Sequence, residues 1–365
     1  MRQEYVKRLT ALMPYDAMLI SPSEELRFFA GFNLMLCERF QALFIKKDGT
    51  CFYLCNTLYK GEASEGLNHE IPVYDWHDNE GMDKVYAILK EQGLWGKTVG
   101  VNSSAQAFNV LDIAEHCDIK LVNGKPLLEE VRIRKSHDEL ERMRKSARVA
   151  DSAFEEACAM IRPGIRESDI RDVIVGCMER QGGSGFDCIV ASGPNGGFPH
   201  YCSYDRTIEE GDCIVLDWGC IIDEMMSDES RTVFVGSITE EQKKIYELVD
   251  RAQLAGEAAA KEGAYIPDID KASREGLDEM GLAHTLINRV GHGIGYSVHE
   301  GPYINQINDR RLEKGMCFSI EPGVYLTNRF GMRVENIVCI NEQGETEVLN
   351  KSDRSLRVID WYKKK

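Results

Sequence analysis

Four carboxylates and one imidazole in the second half of this chain have the types and spacing to hold metal ions and activate water. In residues 213–236, CIVLDWGCIIDEMMSDESRTVFVG, an apolar run ends in Asp217, a turn follows, and a second run carries Asp228. Two apolar, β-branched segments around a short polar break predict a hairpin. If the chain reverses at Ile222 and Asp223, the two aspartates face each other directly. If it reverses at Asp223 and Glu224, they are diagonal neighbours. Both registers put the carboxylates on one face, with Cβ atoms roughly 4.5–8 Å apart. Like charges that close repel unless they are protonated or bridged by a cation. The plainer reading is a solvated hairpin with acids on its wet face.

A second window repeats the layout. In residues 318–340, FSIEPGVYLTNRFGMRVENIVCI, Glu321 ends an apolar run and Glu335 lies in a second one. Thr327, Asn328 and Arg329 at the centre are good turn chemistry, so Glu321 and Glu335 are expected to oppose each other. Arg333, two residues before Glu335, shares its face. Between the windows lies GHGIGYSVHEGP, where His292 sits among Gly291, Gly293 and Gly295 and His299 follows seven residues later. These glycines let the backbone approach something closely. Four carboxylates and an imidazole form a hard, oxygen-rich set suited to two divalent cations, manganese first, with cobalt, zinc or iron as alternatives.

The elements that must position these residues follow from the rest of the chain. At 365 residues one or two domains are expected. Residues 1–125 alternate strand-like segments (16–23, 42–57 and 97–104) with amphipathic helices (82–94 and 105–116), an α/β module. His69, His77 and His116 fall in polar or loop contexts and read as surface residues. A charged connector follows, and Ser136-His137-Asp138-Glu139 is a capping box that opens a helix at about residue 137. From there the order is helix (137–160), helix (168–181), strands (186–236), then helix (capped at Thr239 and running to about 261), helix (267–280), strands (289–348). This long-period repeat of element order gives each half one acidic hairpin. A pseudo-twofold pairing of the halves would bring both hairpins to one central site. His200, in SGPNGGFPH, reads by itself as a loop histidine and gains interest only from this company.

Composition excludes several classes of function. The net charge of −16 argues against nucleic acid, which needs a basic footprint, and against anionic membrane surfaces. No apolar stretch approaches 18 residues, and MRQEYVKRLTALM lacks the apolar core of a signal peptide. Twelve cysteines without CxxC spacing, several inside apolar runs, suit buried free thiols in a reducing, cytoplasmic compartment. Cys51 and Cys55 have no matching half for a zinc site.

Together these residues resemble the pita-bread metallopeptidases, the family of prolidases (Xaa-Pro dipeptidases), aminopeptidases P and methionine aminopeptidases, with the creatinases as a metal-free branch. The likeness covers nearly the whole chain and is strongest over 137–348. It implies an α/β creatinase-like N-terminal domain over 1–126, a module that methionine aminopeptidases usually lack. An α+β pita-bread catalytic domain with a pseudo-twofold internal repeat would follow over 127–365. It implies Asp217 as the terminal ligand of one metal, Asp228 and Glu335 as bridging carboxylates, and His292 with Glu321 on the second metal. His200 and His299 match histidines that line the family's substrate site, and Arg333 matches the arginine behind the bridging carboxylate. The pattern departs at Asn288, where histidine is common, at Asn336, where aspartate is common, and at Ser230, where threonine is common. These departures fall around the ligands, where substrate preference is tuned.

The expected chemistry is hydrolysis of an Xaa-Pro dipeptide by a hydroxide held between two cations about 3.5–4 Å apart. His299 would polarise the carbonyl, Glu321 would carry the proton to the leaving nitrogen, and His200 would contact the substrate. A bond before proline has no N–H, and carbonyl polarisation does not need one. The alternatives are a short aminopeptidase P acting on longer peptides, a non-peptidase amidohydrolase or lyase on the same scaffold, and an inactive binding protein. A small peptide is the expected partner, and the resemblance implies a homodimer.

Overall fold

The computed structural model of the chain describes residues 1–185 and 188–364. It divides into two compact units, Met1–Arg132 and Ile133–Lys365.

The first unit is built on a six-stranded sheet in the spatial order Val73–Trp76, Cys51–Asn56, Ala42–Lys46, Ala17–Ile20, Lys97–Val101, Ile119–Asn123. The expected hairpin pairs Ile45 with Cys51 across a turn in which Gly49 takes φ 85°. Helices Gly81–Glu91 and Ala107–His116 lay Val85, Ile88, Leu89 and Ile113 against Phe44 and Phe52 of the sheet. Four helices went unread in the sequence: Gln3–Leu12, Glu24–Ala30, Lys60–Gly66 and Lys125–Arg132. Each has ten residues or fewer, near the length at which packing rather than local pattern decides helicity. The last begins what reads in sequence as a charged connector.

The second unit has the expected alternation. Helices His137–Met160 and Glu167–Arg180 precede the first set of strands, and Glu240–Ala259 and Ile266–Leu277 precede the second. Both capping boxes form, with Ser136 and Glu139 at one helix start and Thr239 and Gln242 at the other. Residues 186 and 187, which open the predicted strand run 186–236, lie outside the described residues. The first half holds a four-stranded sheet ordered Arg357–Ile359, Glu229–Val235, Cys213–Trp218, Ile189–Ser192. The second holds a five-stranded sheet ordered Glu300–Ile304, Gly291–Gly293, Cys317–Ile320, Asn336–Ile340, Thr346–Val348. Each half has its own apolar core: Phe154, Ile174, Leu216 and Trp218 in the first, Ile245, Val249, Phe318 and Val338 in the second. Trp218 Nε1 donates to the Ala150 carbonyl at 3.0 Å, which locks the first helix to its sheet.

Pairing of Ile222 with Met225 fixes the first hairpin's reversal at Asp223 and Glu224, with φ of 48° and 69°. Two left-handed residues in a row is the turn that matches strand twist, normally made by Asn-Gly. Here side-chain-bearing residues carry that conformation, held by Arg142 donating to the Asp223 carbonyl at 2.8 Å. Replacing Asp223-Glu224 with Asn-Gly is therefore expected to raise stability by about 1 kcal/mol. The exchange also removes two ion pairs, the exposed Lys145–Asp223 pair and the long Arg142–Glu224 contact at 3.9 Å, each worth little. A lower midpoint on denaturation in urea would contradict this account of the turn.

Candidate metal centre

The two acidic hairpins are bonded to each other. In the first, Asp217 pairs with Ser230, so Asp228 is the diagonal neighbour of Asp217 on the same face. In the second, Gly323 pairs with Arg333 and Ile320 with Asn336, a register that sets Glu321 opposite Glu335. Asn328 takes φ 62° at the turn. A single bridge between Ser230 and Glu335 joins the hairpins, with Glu335 N donating to the Ser230 carbonyl at 3.1 Å. Thr232 Oγ1 adds two bonds, donating to the Arg333 carbonyl at 2.9 Å and accepting from Arg333 N at 3.0 Å.

His292 enters from the strand Gly291–Gly293. A Cβ on Gly291 would lie 1.8 Å from the Ser319 carbonyl oxygen, and one on Gly293 would lie 2.0 Å from that of Gly301. The close approach these glycines permit is thus to neighbouring strands, which pack tightly enough to push the imidazole inward. Its Nε2 stands 3.3 Å from Glu321 Oε1 and 3.8 Å from Asp228 Oδ2. One ligand atom each of Asp228, His292 and Glu335 lies within 4.8 Å of the others.

This packing is electrostatically unfavourable for the bare protein. Burial pushes Asp228 and Glu335 well above the usual carboxylate range, and their negative neighbours push further. Burial raises Glu321 to about 7, with Arg333 opposing the rise and Asp217 adding to it. His292 is held well below its ordinary value by burial and then by His299, so it is neutral. Its Nδ1 faces the Gly293 carbonyl at 3.1 Å, and a carbonyl only accepts, so the proton is on Nδ1. The Nε2 lone pair therefore points at carboxylate oxygens. Glu335 Oε1 is buried without a hydrogen-bond partner, while its Oε2 accepts from Ser230 Oγ at 2.6 Å. Lone pairs facing lone pairs, plus an orphaned carboxylate oxygen, form a donor set that fits divalent cations.

One cationic side chain is threaded through the acids. Arg333 Nη2 donates to Asp217 Oδ2, Nε to Ser230 Oγ at 2.8 Å and Nη1 to Tyr325 Oη at 2.7 Å. A cavity of about 300 Å³ opens beside the centre, lined by Asp217, Asp228, His200, His299, Cys202 and Tyr204 among others. Both histidines open onto it. The protein around His299, then Arg289 and His200, lowers its affinity for a proton.

The sequence matches the family model of Metallopeptidase family M24 over residues 141–342 and that of the Creatinase/Prolidase N-terminal domain over residues 3–134. The chain belongs to metallopeptidase family M24. It is 34% identical over 306 residues to the Xaa-Pro dipeptidase of Pyrococcus furiosus, covering 82% of this chain and 86% of the relative. The prolidase structure from Thermococcus sibiricus superposes with TM-score 0.90 at 30% identity over 98% of both chains. An X-Pro aminopeptidase structure from Thermotoga maritima matches with TM-score 0.84 at 28% identity over 98% of this chain and 99% of that one. The pita-bread architecture with a creatinase-type N-terminal domain is thus established for this metallopeptidase. Among the described residues no helix is long and apolar enough to cross a membrane.

Several supports of the centre escaped sequence reasoning. Ser319 Oγ accepts from His292 N at 3.0 Å and donates to Glu321 Oε1 at 3.1 Å. Arg231 donates to the Glu335 carbonyl at 2.6 Å and to Asn336 Oδ1 at 2.9 Å, and Asn336 Nδ2 donates to Glu257 at 2.7 Å. An aspartate at 336 would meet Glu257 charge to charge, so asparagine suits this network. Lys135, 1% exposed at its side chain, reaches Glu300 Oε1 at 2.5 Å, beside His299. Serines and a distant lysine carry no local pattern that marks them.

Two outcomes follow for the metallopeptidase. Removing Lys135 as Lys135→Met leaves Glu300 buried without its cation, an expected loss of about 3–5 kcal/mol in urea denaturation. A loss under about 1 kcal/mol would mean the pair is solvated. The second outcome concerns pH. A carboxyl whose folded pKa exceeds its unfolded value binds more protons when folded, so its contribution to stability falls as pH rises. Glu321 moves from 4.5 to about 7. Without metal, wild type is therefore expected to lose stability relative to Glu321→Gln as pH rises through that window. Divalent metal at about 100 times its Kd should add about 2.7 kcal/mol. A gap between the two proteins that stays constant with pH would refute the assignment.

Proposed function

We propose that this metallopeptidase hydrolyses Xaa-Pro dipeptides using two divalent cations, manganese first, held by Asp217, Asp228, His292, Glu321 and Glu335. The observation that carries the reading is the proton-free His292 Nε2 aimed at Asp228 and Glu321, with Glu335 Oε1 orphaned beside them. When bound, such cations lower the pKa of water from about 15.7 toward 7 and polarise a carbonyl oxygen.

The chain's own groups do the rest. Asp217 and Glu335 are held in place by Arg333, directly and through Ser230, so their oxygens are fixed before substrate arrives. Glu321, whose affinity for a proton lies near neutrality in the bare protein, takes the proton of the attacking water and delivers it to the leaving nitrogen. His299, neutral and open to the cavity, donates a hydrogen bond to the carbonyl oxygen as negative charge develops there. His200, which lines the same cavity, contacts the substrate. None of these contacts needs an amide N–H at the scissile bond, which proline lacks. The cytoplasm and a homodimeric state complete the reading, on the strength of the cysteine chemistry and of the family resemblance.

The second reading is removal of an N-terminal residue before proline from longer peptides, favoured by the likeness to the X-Pro aminopeptidase fold. Gly-Pro and Gly-Pro-Ala, assayed after chelation and manganese addition, separate the two. Turnover of the dipeptide is expected, and turnover of the tripeptide alone would sink the dipeptidase reading. Glu335→Gln is expected to lower kcat by at least roughly 100-fold and to reduce bound metal by elemental analysis.

A further inference from the structure

Xaa-Pro dipeptides share their proline, so selection among them falls on the residue before it and on the wall that residue meets. The acids and histidines of the cavity belong to the metal centre and to the catalytic groups. The rest of its described lining is Ile189, Val298, Cys202 and Tyr204. At about 300 Å³ the cavity lies at the small end of the range for ligand sites, roughly 300–1,000 Å³. A large side chain on that wall therefore decides how much of a substrate fits.

Tyr204 is that side chain, and it is held on the wall against its backbone preference. It takes φ 56° in a segment with no regular turn. Elsewhere among the described residues, positive φ without glycine falls in turns, at Asn68, His69, Asp223, Glu224 and Asn328. A bulky aromatic residue in that conformation is an outlier, and such strain persists only where the surroundings over-determine it. Here they do. Arg171, on the helix Glu167–Arg180, lays its guanidinium over the Tyr204 ring, 4.8 Å from its centre. Asp172 Oδ1 anchors that guanidinium, accepting from Nη2 at 2.7 Å and from Nε at 3.1 Å. Tyr201 Oη donates to Asp205 Oδ1 at 2.8 Å and closes the chain across Tyr204. Just beyond, Arg206 donates from its backbone to Glu167 Oε2 at 3.3 Å and from Nη1 to Ser192 Oγ at 2.7 Å. With a cation over one face of the ring, the cavity meets the other face or the edge. Strain maintained at the wall of a substrate cavity points to a part in binding.

We propose that Tyr204, propped by Arg171, sets the width of the cavity and restricts the residue before proline to a small side chain such as glycine, alanine or serine. The assignment rests on the Xaa-Pro reading above and deepens it by naming the class of dipeptide. Tyr204 is the specificity-determining residue, and Arg171 is a positioning residue that acts through it. Packed walls yield little, so a side chain that overfills the cavity is rejected by its size.

The test measures kcat/KM for Gly-Pro, Ala-Pro and Phe-Pro on the manganese-loaded wild type, Tyr204→Asn, Tyr204→Phe and Arg171→Gln. Asparagine tolerates the left-handed backbone while removing the ring, and circular dichroism checks that the variant folds. Wild type is expected to favour Gly-Pro and Ala-Pro over Phe-Pro. Tyr204→Asn should raise the ratio of Phe-Pro to Gly-Pro by roughly 10- to 100-fold, the discrimination a pocket achieves by size. Tyr204→Phe should keep the wild-type ratio within about twofold, and Arg171→Gln should fall between it and Tyr204→Asn. A merely structural defect lowers turnover of every substrate alike and leaves the ratio where it was. An unchanged ratio in Tyr204→Asn would therefore overturn the proposal, or in Arg171→Gln if Tyr204→Asn does not fold. A lowered ratio would overturn it too, by making the ring a packing surface for large residues. So would a wild type that cleaves Phe-Pro as well as Gly-Pro, or an effect confined to Gly-Pro against Gly-hydroxyproline, which would put the ring on the proline side. Each of these leaves the Xaa-Pro reading intact, because wild type still cleaves Gly-Pro. A wild type that cleaves no Xaa-Pro substrate would overturn that reading, and the proposal with it.

Discussion

The organising constraint of this protein is the repulsion among carboxylates brought together where water is scarce. Asp228, Glu335 and Glu321 are pushed above the ordinary carboxylate range first by burial and then by negative neighbours, Asp217 acting on all three. Such a cluster persists only if the scaffold is stiff enough to impose it. Stiffness here comes from the hairpins themselves, from the bridge between Ser230 and Glu335 and from the bonds Thr232, Arg231 and Arg333 make between them. The cost of crowding is offset when cations enter, so the same arrangement that weakens the bare fold makes it a strong receptor for metal.

Around that cluster the chain has distributed positive and neutral partners in layers. Arg333 reaches through the middle and divides itself among Asp217, Ser230 and Tyr325. Behind Glu335, Arg231 and Asn336 pass the load to Glu257, which also accepts from Gln253 and lies 3.6 Å from Arg354. Asn336 is the neutral link in that chain and allows a carboxylate at 257 to sit against it. The departure at 336 is therefore a physical adjustment to the neighbours this chain has. It alters a support of Glu335 and leaves the donor atoms untouched.

The binding side is built differently from the metal side. His200 and His299 open onto a cavity, whereas His292 is sealed among glycine-flanked strands. Identical side chains thus differ in role because one imidazole is packed against carbonyls that fix its tautomer and the others are free to meet a substrate. Lys135 and Glu300 brace the chain beside His299, a rigid mount for an imidazole that opens onto the cavity.

Much of this was legible in the residues alone. Period-two runs broken by turn residues marked both hairpins, and the four acids facing one another at their centres, with His292 in its glycine-rich segment, marked a candidate cation site. The capping boxes at Ser136 and Thr239 marked two helix starts, because a cap is a local bond between residues three apart. The register of the first hairpin was not legible, since Asp223-Glu224 lacks the Asn-Gly signature and its left-handed turn is held by Arg142 and Lys145 from a distant helix. Short helices of the N-terminal unit were missed because packing, not pattern, sustains them. The sequence by itself determined which groups could bear charge and which neighbours along the chain share a face. Only the tertiary structure decided that the bare nitrogen of His292 faces Asp228 and Glu321 and that one oxygen of Glu335 is orphaned while Ser230 holds the other, because those facts depend on partners between 29 and 105 residues away that no local periodicity encodes.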